Sequence, residues 1–225
     1  MNTIKSFLLG ACLGSTCVLC AASLAACSSN NAQTQAQPQE DSVEAQSCNE
    51  VIATIMARRS IRQYKDQAVE REKLEVIAKC GINAPNGMNQ QPWQVRIVDN
   101  PDYINGLTEL FKAANPKMAA DSTFKNMFRN APAVIFIASP ADGSGQIDCG
   151  LLGENIILAA QSLGLGTCCL GGPIHFMKEA KEAKPYMDRL QIPQDYTLLY
   201  AIGVGYPDES PAAKPRDEAK IQFVE

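Results

Sequence analysis

The chain is organised around two polar segments, the stretch RRSIR at residues 58–62 and the loop APNGMNQQPW at residues 84–93. The first segment places three guanidinium groups and a hydroxyl within five residues, a density of cationic donors that suits a phosphate. The second carries several side-chain amides between two prolines, so it offers hydrogen-bond donors and acceptors to a polar ring edge. Each segment also has a plainer interpretation, as cations at a helix C-terminus and as a surface turn.

The composition is that of a folded domain without a general affinity for nucleic acid. The 225 residues, of which 46% are hydrophobic, suffice for one sizeable α/β domain. The formal net charge of −4 argues against a nucleic-acid partner, which usually brings a basic excess. A strong anion site must therefore be local.

The N-terminal residues are predicted to be a targeting signal. Lys5 supplies a positive charge, residues 7–22 are largely apolar, and LAAC at residues 24–27 has the pattern of a bacterial lipoprotein signal, in which small residues precede a cysteine. Cys27 would then become the lipidated first residue of a membrane-anchored lipoprotein outside the cytoplasm. An uncleaved signal anchor is the alternative.

The segment that follows Cys27 is predicted to be a tether. Residues 28–46 contain mostly Gln, Asn, Ser and Ala without apolar periodicity, so disorder is expected. The chain therefore divides into a signal peptide at residues 1–26, the lipidated cysteine and its tether at residues 27–46, and a folded domain at residues 47–225.

Five cysteines remain in the predicted domain. An odd number cannot all pair within one chain, and adjacent cysteines are poorly placed to bridge each other. We therefore expect most of these thiols to be buried and free. They are Cys48, Cys80, Cys149, Cys168 and Cys169.

Apolar periodicity predicts six helices. The second is expected to be stopped by Gly81 and the fifth by Gly164. The helices are expected from Cys48 to about Arg58, at residues 70–79, from near Pro101, around residues 124–128, at residues 148–163 and at residues 177–184.

Three strands are predicted, at residues 93–98, 133–138 and 197–204. The run AVIFIA at residues 133–138 is continuously apolar, which is typical of a central strand covered on both faces. Residues 221–224 are expected to form an edge strand that reaches another subunit. The glycine-rich residues 164–173 either let the backbone approach a ligand or simply connect a helix to a strand.

The residue inventory does not suit acid-base or phosphoryl-transfer chemistry. His175 is the single histidine, expected to be structural, so a histidine-rich metal site is impossible and no metal is predicted. No phosphate-binding loop of the GxxxxGK[ST] type occurs. An arginine cluster, an amide loop, a glycine-rich turn and a late KPR at residues 214–216 instead suit a cofactor that carries its own reactivity.

Four motifs in order resemble the FMN-dependent nitroreductase family, and the resemblance covers residues 49–225. They are RRSIR at residues 58–62, the loop at residues 84–93, the helix that leads into GLGT at residues 164–167, and AIGVGYP at residues 201–207 with the later KPR. The resemblance implies an α+β fold with three layers, in which helices flank a small, mainly antiparallel central sheet, and a homodimer.

The resemblance also implies FMN as the cofactor and assigns its ligands, while no catalytic residue is identified. Two departures from the family pattern leave the substrate contacts open: Asn86 and Gly87 replace common serines, and Cys168 and Cys169 stand where an aromatic is frequent. The phosphate and ribityl chain would be held by Arg58, Arg59, Ser60, Lys214 and Arg216, and the pyrimidine edge would lie near Arg62. The second subunit would contact the flavin through Pro85, Asn86, Gly87 and Asn89. The reactive ring would face Leu170, Gly171 and Gly172.

The expected function is that of an FMN-dependent oxidoreductase that uses NAD(P)H or a membrane electron donor. It would pass two electrons, as a hydride, to a nitro compound, a quinone or a related acceptor. The alternative is a lipid-anchored flavin carrier or electron-transfer module without a small-molecule substrate of its own.

Overall fold

The computed structural model describes residues 49–225. The predicted signal peptide, the lipidated Cys27, the tether and Cys48 lie outside the described residues. The helices are α1 (Glu50–Ala57), α2 (Arg71–Ile82), α3 (Pro101–Ala114), α4 (Pro116–Ala119), α5 (Gln146–Ser162), α6 (Gly172–Glu179) and α7 (Lys184–Arg189). The strands are β1 (Gln94–Val98), β2 (Ala133–Pro140), β3 (Gly166–Leu170) and β4 (Tyr196–Gly205).

The four strands form one antiparallel sheet in the order β1-β2-β4-β3. All residues of β2 except Pro140 are buried, as its continuous apolar sequence predicts for an interior strand. The register pairs Ile135 with Ile202 and Phe136 with Ala201. Successive residues of β2 therefore enter two different apolar clusters, one on each face of the sheet.

Helices cover both faces of the sheet. On one face α2 and α5 supply Ile77 and Ile156 to a cluster that includes Ile135. On the other face α3 and α6 supply Leu107 and Met177 to a cluster that includes Phe136. The predicted three-layer α+β arrangement with a small antiparallel sheet is therefore confirmed.

Two helices begin where side chains cap them. The Asn49 side chain accepts hydrogen bonds from the backbone N–H of Val51 and Ile52 at the start of α1. The Asn100 side chain accepts one from Tyr103 N–H at the start of α3, where Pro101 occupies the first turn. Asparagine caps and an N-terminal proline are common start signals, and they confirm the helix that the sequence predicted near Pro101.

The second predicted helix continues past its expected end. Gly81 lies inside α2, and a Cβ built there would meet Ile156 Cγ1 at 2.6 Å. The glycine therefore permits close packing of α2 against α5, and the prediction that it stops the helix is wrong. The helix ends one residue before Asn83, whose side chain donates to Lys79 O at 2.7 Å.

The helix predicted around residues 124–128 is absent, and the segment is a chain of turns. Asn126 Oδ1 accepts from the N–H of Phe128 and of Asn130, and Asn130 Oδ1 accepts from the N–H of Lys125. Asparagine side chains that take backbone donors compete with helix formation. The helix-like spacing of the apolar residues reflects the burial of Met127 and Phe128 instead.

Three further expectations near the C-terminus are corrected. Residues 166–170 of the glycine-rich stretch form strand β3, so Gly164 and Leu165 connect a helix to a strand, whereas Gly171 and Gly172 follow the strand. The charged helix predicted at residues 177–184 is replaced by α6, a short 3-10 turn and α7. Residues 221–224 are exposed coil and form no strand. Within residues 49–225, no helix has both the length and the apolar character needed to span a bilayer.

Candidate functional site

A cavity of about 930 Å³ opens on the sheet face that α3 and α6 cover. Three segments form most of its wall: residues 62–64, the turns at residues 121–130, and residues 168–173 at the end of β3 and the start of α6; Phe111, Met118 and Asp208 complete it. Such a volume lies within the usual range of small-molecule sites. The cavity brings together four residues predicted to be ligands, namely Arg62, Leu170, Gly171 and Gly172.

The segment that carries Arg62 is held against the start of β3. Ile61 N–H donates to Thr167 O at 2.8 Å, and Ser60 forms a parallel bridge with Thr167. The Tyr64 hydroxyl donates to Ile61 O at 2.7 Å, and burial raises the pKa of Tyr64 well above its usual value, so the donor keeps its proton. Arg62 is thus carried to the cavity wall by a fixed backbone.

Arg58 and Arg59 lie at the end of α1 and do not line the cavity. The Arg59 guanidinium donates to Met56 O at 2.6 Å and to Arg58 O at 2.8 Å. Cations at the C-terminus of a helix neutralise its partial negative charge. For Arg59 the structure therefore shows the plainer of the two interpretations, a cation at a helix end.

The backbone of Gly171 and Gly172 faces open space. A Cβ built at either residue meets no atom within 4 Å, and both residues line the cavity. A flat ring could therefore approach their peptide groups closely, because no side chain stands in between. With the Arg62 cation nearby, the described residues fit a planar ligand that carries or gains negative charge, as FMN does.

The amide loop does not line the cavity of its own protomer. Asn86 Oδ1 accepts from Gln91 N–H at 2.8 Å, which closes the loop, and Met88 and Asn89 have φ angles of 51° and 54°. Pro85, Gly87 and Asn89 are exposed, and Asn86 is half-buried. None of these predicted ligands lines the cavity.

Lys214 and Arg216 lie in an exposed tail. Arg216 Nη1 donates only to carbonyls of its own segment, Lys214 O at 3.0 Å and Pro215 O at 3.4 Å. Neither residue lines the cavity. The structure therefore does not itself bring these two predicted phosphate ligands to the cavity wall.

Sequence reasoning missed the turns at residues 121–130, which form one wall of the cavity. Asn126 and Asn130 fix these turns through the backbone hydrogen bonds described above, and Lys125 and Arg129 are presented from them. The signal in the sequence was the spacing of two asparagines within five residues, which is typical of turns.

Two adjacent thiols also line the cavity, those of Cys168 and Cys169. Burial raises the pKa of the Cys168 thiol, while the positive charges of Arg62 and Arg129 act in the opposite direction. Of the four cysteines in the described part of the chain, Cys149 and Cys168 are buried whereas Cys80 and Cys169 are exposed, and all are free. The expectation of mostly buried thiols thus holds for half of them.

Groups suited to acid-base or metal chemistry are scarce. Among residues 49–225, no cluster of three or more His, Cys, Asp or Glu side chains could hold a metal ion. His175 is exposed on α6, with Nε2 3.3 Å from Glu179 Oε2.

The match to known families covers most of the described chain. Residues 55–206 match the model described as the nitroreductase family. The chain is 26% identical over 195 residues to an NADPH-flavin oxidoreductase of Vibrio harveyi, covering 77% of this chain and 72% of the relative.

Two solved structures share the fold. A nitroreductase from Bacteroides fragilis with bound FMN superposes with a TM-score of 0.68 at 26% identity, covering 79% of this chain and 100% of that chain. A nitroreductase from Desulfitobacterium hafniense with bound FMN has a TM-score of 0.69 at 28% identity, covering 79% of this chain and 99% of that chain.

Proposed function

Because the chain belongs to the nitroreductase family, we propose that it is an FMN-dependent oxidoreductase that passes two electrons from NAD(P)H to a nitro compound, a quinone or a related acceptor. The observation that carries the proposal is the cavity, in which the Arg62 cation and the open backbone of Gly171 and Gly172 face the same space. Relatives of the same fold are crystallised with FMN bound, which supports the choice of cofactor.

The residues of the cavity have distinct roles in this proposal. Bound FMN would supply the two-electron chemistry. Arg62 would stabilise the negative charge that develops on reduction, since a fixed cation in a partly enclosed site lowers the free energy of a nearby anion. Leu170, Gly171 and Gly172 would support one face of the ring. Arg58, Ser60, Lys214 and Arg216 would hold the phosphate.

We further propose a homodimer in which the loop at residues 85–89 of one protomer closes the flavin site of the other. The exposed position of Pro85, Gly87 and Asn89, away from their own cavity, supports this arrangement. Helix α1 has no buried residue, and it exposes an apolar face that includes Val51 and Met56, at 64% and 70% exposure. Burial of such a face in a partner would be favourable.

The decisive experiment is reduction of the purified protein with NADH and with NADPH under anaerobic conditions. Bleaching of the flavin absorbance, followed by steady turnover with a nitroaromatic compound or a quinone, is expected. A flavin that stays oxidised with both donors would instead favour the electron-transfer module. Protein from which FMN has been removed is the control, because it should neither bleach nor turn over.

The cellular location belongs to the proposal as well. The LAAC pattern at residues 24–27 supports a lipoprotein outside the cytoplasm, where reduced nicotinamides are scarce and a membrane electron donor is the alternative to NAD(P)H. Replacement of Cys27 by Ser should release the protein from membranes or block its maturation. Unchanged membrane partition and unchanged mass of the mature protein would contradict the lipid anchor.

A further inference from the structure

The proposed phosphate ligands come from two segments that are far apart in the sequence. Residues 58–62 follow α1, whereas Lys214 and Arg216 lie near the C-terminus. Both must reach the same phosphate if they are to hold FMN. The structure shows how the chain that leads to the second segment is joined to the first.

A short antiparallel pairing joins the chain after β4 to the chain after residue 62. Lys65 N–H donates to Tyr206 O at 2.9 Å, and Asp208 N–H donates to Gln63 O at 3.0 Å. Tyr64 and Pro207 form the antiparallel bridge between these two hydrogen bonds. The start of the C-terminal tail therefore runs beside the segment that carries Arg62.

The carboxylate of Glu209 completes this pairing. Its Oε1 accepts a hydrogen bond from Gln63 N–H at 3.1 Å and another from Arg62 N–H. Hydrogen bonds from backbone N–H groups to a carboxylate are charge-assisted and stronger than those between neutral groups. The side chain is half-buried, so water competes with these bonds only in part.

Glu209 is also the last attachment of the tail to the folded domain. Within the described residues 210–225, every hydrogen bond joins residues of the tail itself, such as those of Arg216 to Lys214 and of Ile221 to Glu218. Lys214 follows Glu209 by five residues. The position of the two tail cations therefore depends on where Glu209 holds the chain.

We propose that Glu209 is a positioning residue for FMN, which fastens the tail to Arg62 and Gln63 and so keeps Lys214 and Arg216 beside residues 58–62. This rests on the proposed function, because it assumes that the phosphate of FMN binds between the two segments. A carboxylate has the wrong charge to bind phosphate directly. The carboxylate instead accepts hydrogen bonds from the two backbone N–H groups, and it affects FMN binding only through the position of the tail.

The first test measures FMN affinity in three variants. Glu209→Ala should weaken FMN binding about tenfold, because the tail cations are no longer held in place. Glu209→Gln keeps an acceptor oxygen and should therefore weaken FMN binding less than Glu209→Ala does. Glu218→Ala removes the same charge from an exposed position in the same tail and should bind FMN as the original protein does.

A double-mutant cycle separates positioning from a general loss of stability. If Glu209 acts through the two tail cations, Glu209→Ala should have little further effect on FMN affinity in a background that carries both Lys214→Ala and Arg216→Ala. A general destabilisation would weaken FMN equally in both backgrounds. Additive effects would therefore overturn the proposal.

Hydrogen exchange tests the contact without FMN. The Arg62 and Gln63 amides should be protected in the original protein and in Glu218→Ala, and should exchange faster in Glu209→Ala. Unchanged exchange of these two amides in Glu209→Ala would contradict the claim that Glu209 holds the tail to Arg62 and Gln63. An original protein that binds no FMN would overturn the proposed function, whereas normal FMN affinity in Glu209→Ala would overturn only the role of Glu209.

Discussion

Neighbouring arginines of the RRSIR stretch have different surroundings, although the sequence presents them as one cluster. Arg62 lines the cavity, while the Arg59 guanidinium is bonded to carbonyls at the end of α1. The helix ends at Ala57 and residues 58–62 are not helical, so successive side chains point to different parts of the molecule. At the scale of single residues, motif spacing identifies a candidate site but not the task of each member.

Replacement of Arg216 by Ala should weaken FMN binding ten- to a hundredfold. A charge-assisted hydrogen bond contributes about 1.5–3 kcal/mol, and Arg216 would supply such bonds to the phosphate. Titration of protein freed of FMN, followed by flavin fluorescence, measures the change. Lys220→Ala, another cation in the same exposed tail, is the control. An Arg216→Ala protein that purifies with full flavin occupancy in dilute solution would exclude Arg216 as a ligand.

The cysteines should differ widely in reactivity. Burial, and secondarily the negative charge of Asp148, raises the pKa of Cys149 to about 11, so at pH 8 only about one thiol in a thousand is ionised. Cys80 is exposed. Iodoacetamide at pH 8 should therefore modify Cys80 rapidly and Cys149 only after unfolding, as peptide mass spectrometry can measure. Equal rates for the two in the native protein would contradict the burial of Cys149.

At the scale of elements, the close contact between α2 and α5 depends on a residue that has no side chain. Gly81 faces Ile156 from inside α2, where the approach of α5 leaves no room for a Cβ. Asn83 bonds the carbonyl of Lys79 at the helix end, a task that the sequence pattern had attributed to the glycine. A glycine near the end of a periodic segment thus has two explanations, and only its neighbours in space distinguish them.

Gly81→Ala should lower the free energy of unfolding by about 1–3 kcal/mol, because an added methyl group in a close-packed contact forces side chains or helices apart. Denaturant titration monitored by circular dichroism measures this change in the free energy of unfolding. Lys79→Ala on the exposed side of the same helix is the control and should change stability by less than about 0.5 kcal/mol. Equal stability of the two variants would show that Ile156 can move aside.

At the scale of the whole molecule, apolar side chains in two parts of the described residues 49–225 are exposed. One part is the face of α1 that includes Ile55, at 47% exposure, and the other is the tail, in which Phe223 is 97% exposed. Apolar groups this exposed are costly in water unless another surface covers them. The sheet and its two helical layers pack without these side chains.

Ile55→Glu should shift the protein from dimer to monomer while leaving the fold of each protomer intact, since the side chain is largely exposed there. Analytical ultracentrifugation of residues 47–225 measures the shift, and Glu50→Gln on the same helix is the control. Added FMN should favour the dimer by mass action if both chains contribute to the site. A monomer that holds FMN tightly at micromolar concentration would contradict the shared site, and with it the assignment of Asn86, Gly87 and Asn89.

The sequence by itself determined the family and most of the elements. The match over residues 55–206 confirms the family that four ordered motifs indicated. Strand β2, strand β4 and helix α5 lie within one or two residues of their predicted ends. These elements have strong local signals, because continuous apolar runs and helical periodicity describe how a segment buries its own surface.

Tertiary structure decided what depends on neighbours in space. The packing of Gly81 inside α2 was decided by Ile156 of α5, which lies far from it in the sequence. The pairing of Glu209 with Arg62 joins residues 147 positions apart. No local pattern encodes these outcomes, because each is a contact between groups that only the folded sheet brings together.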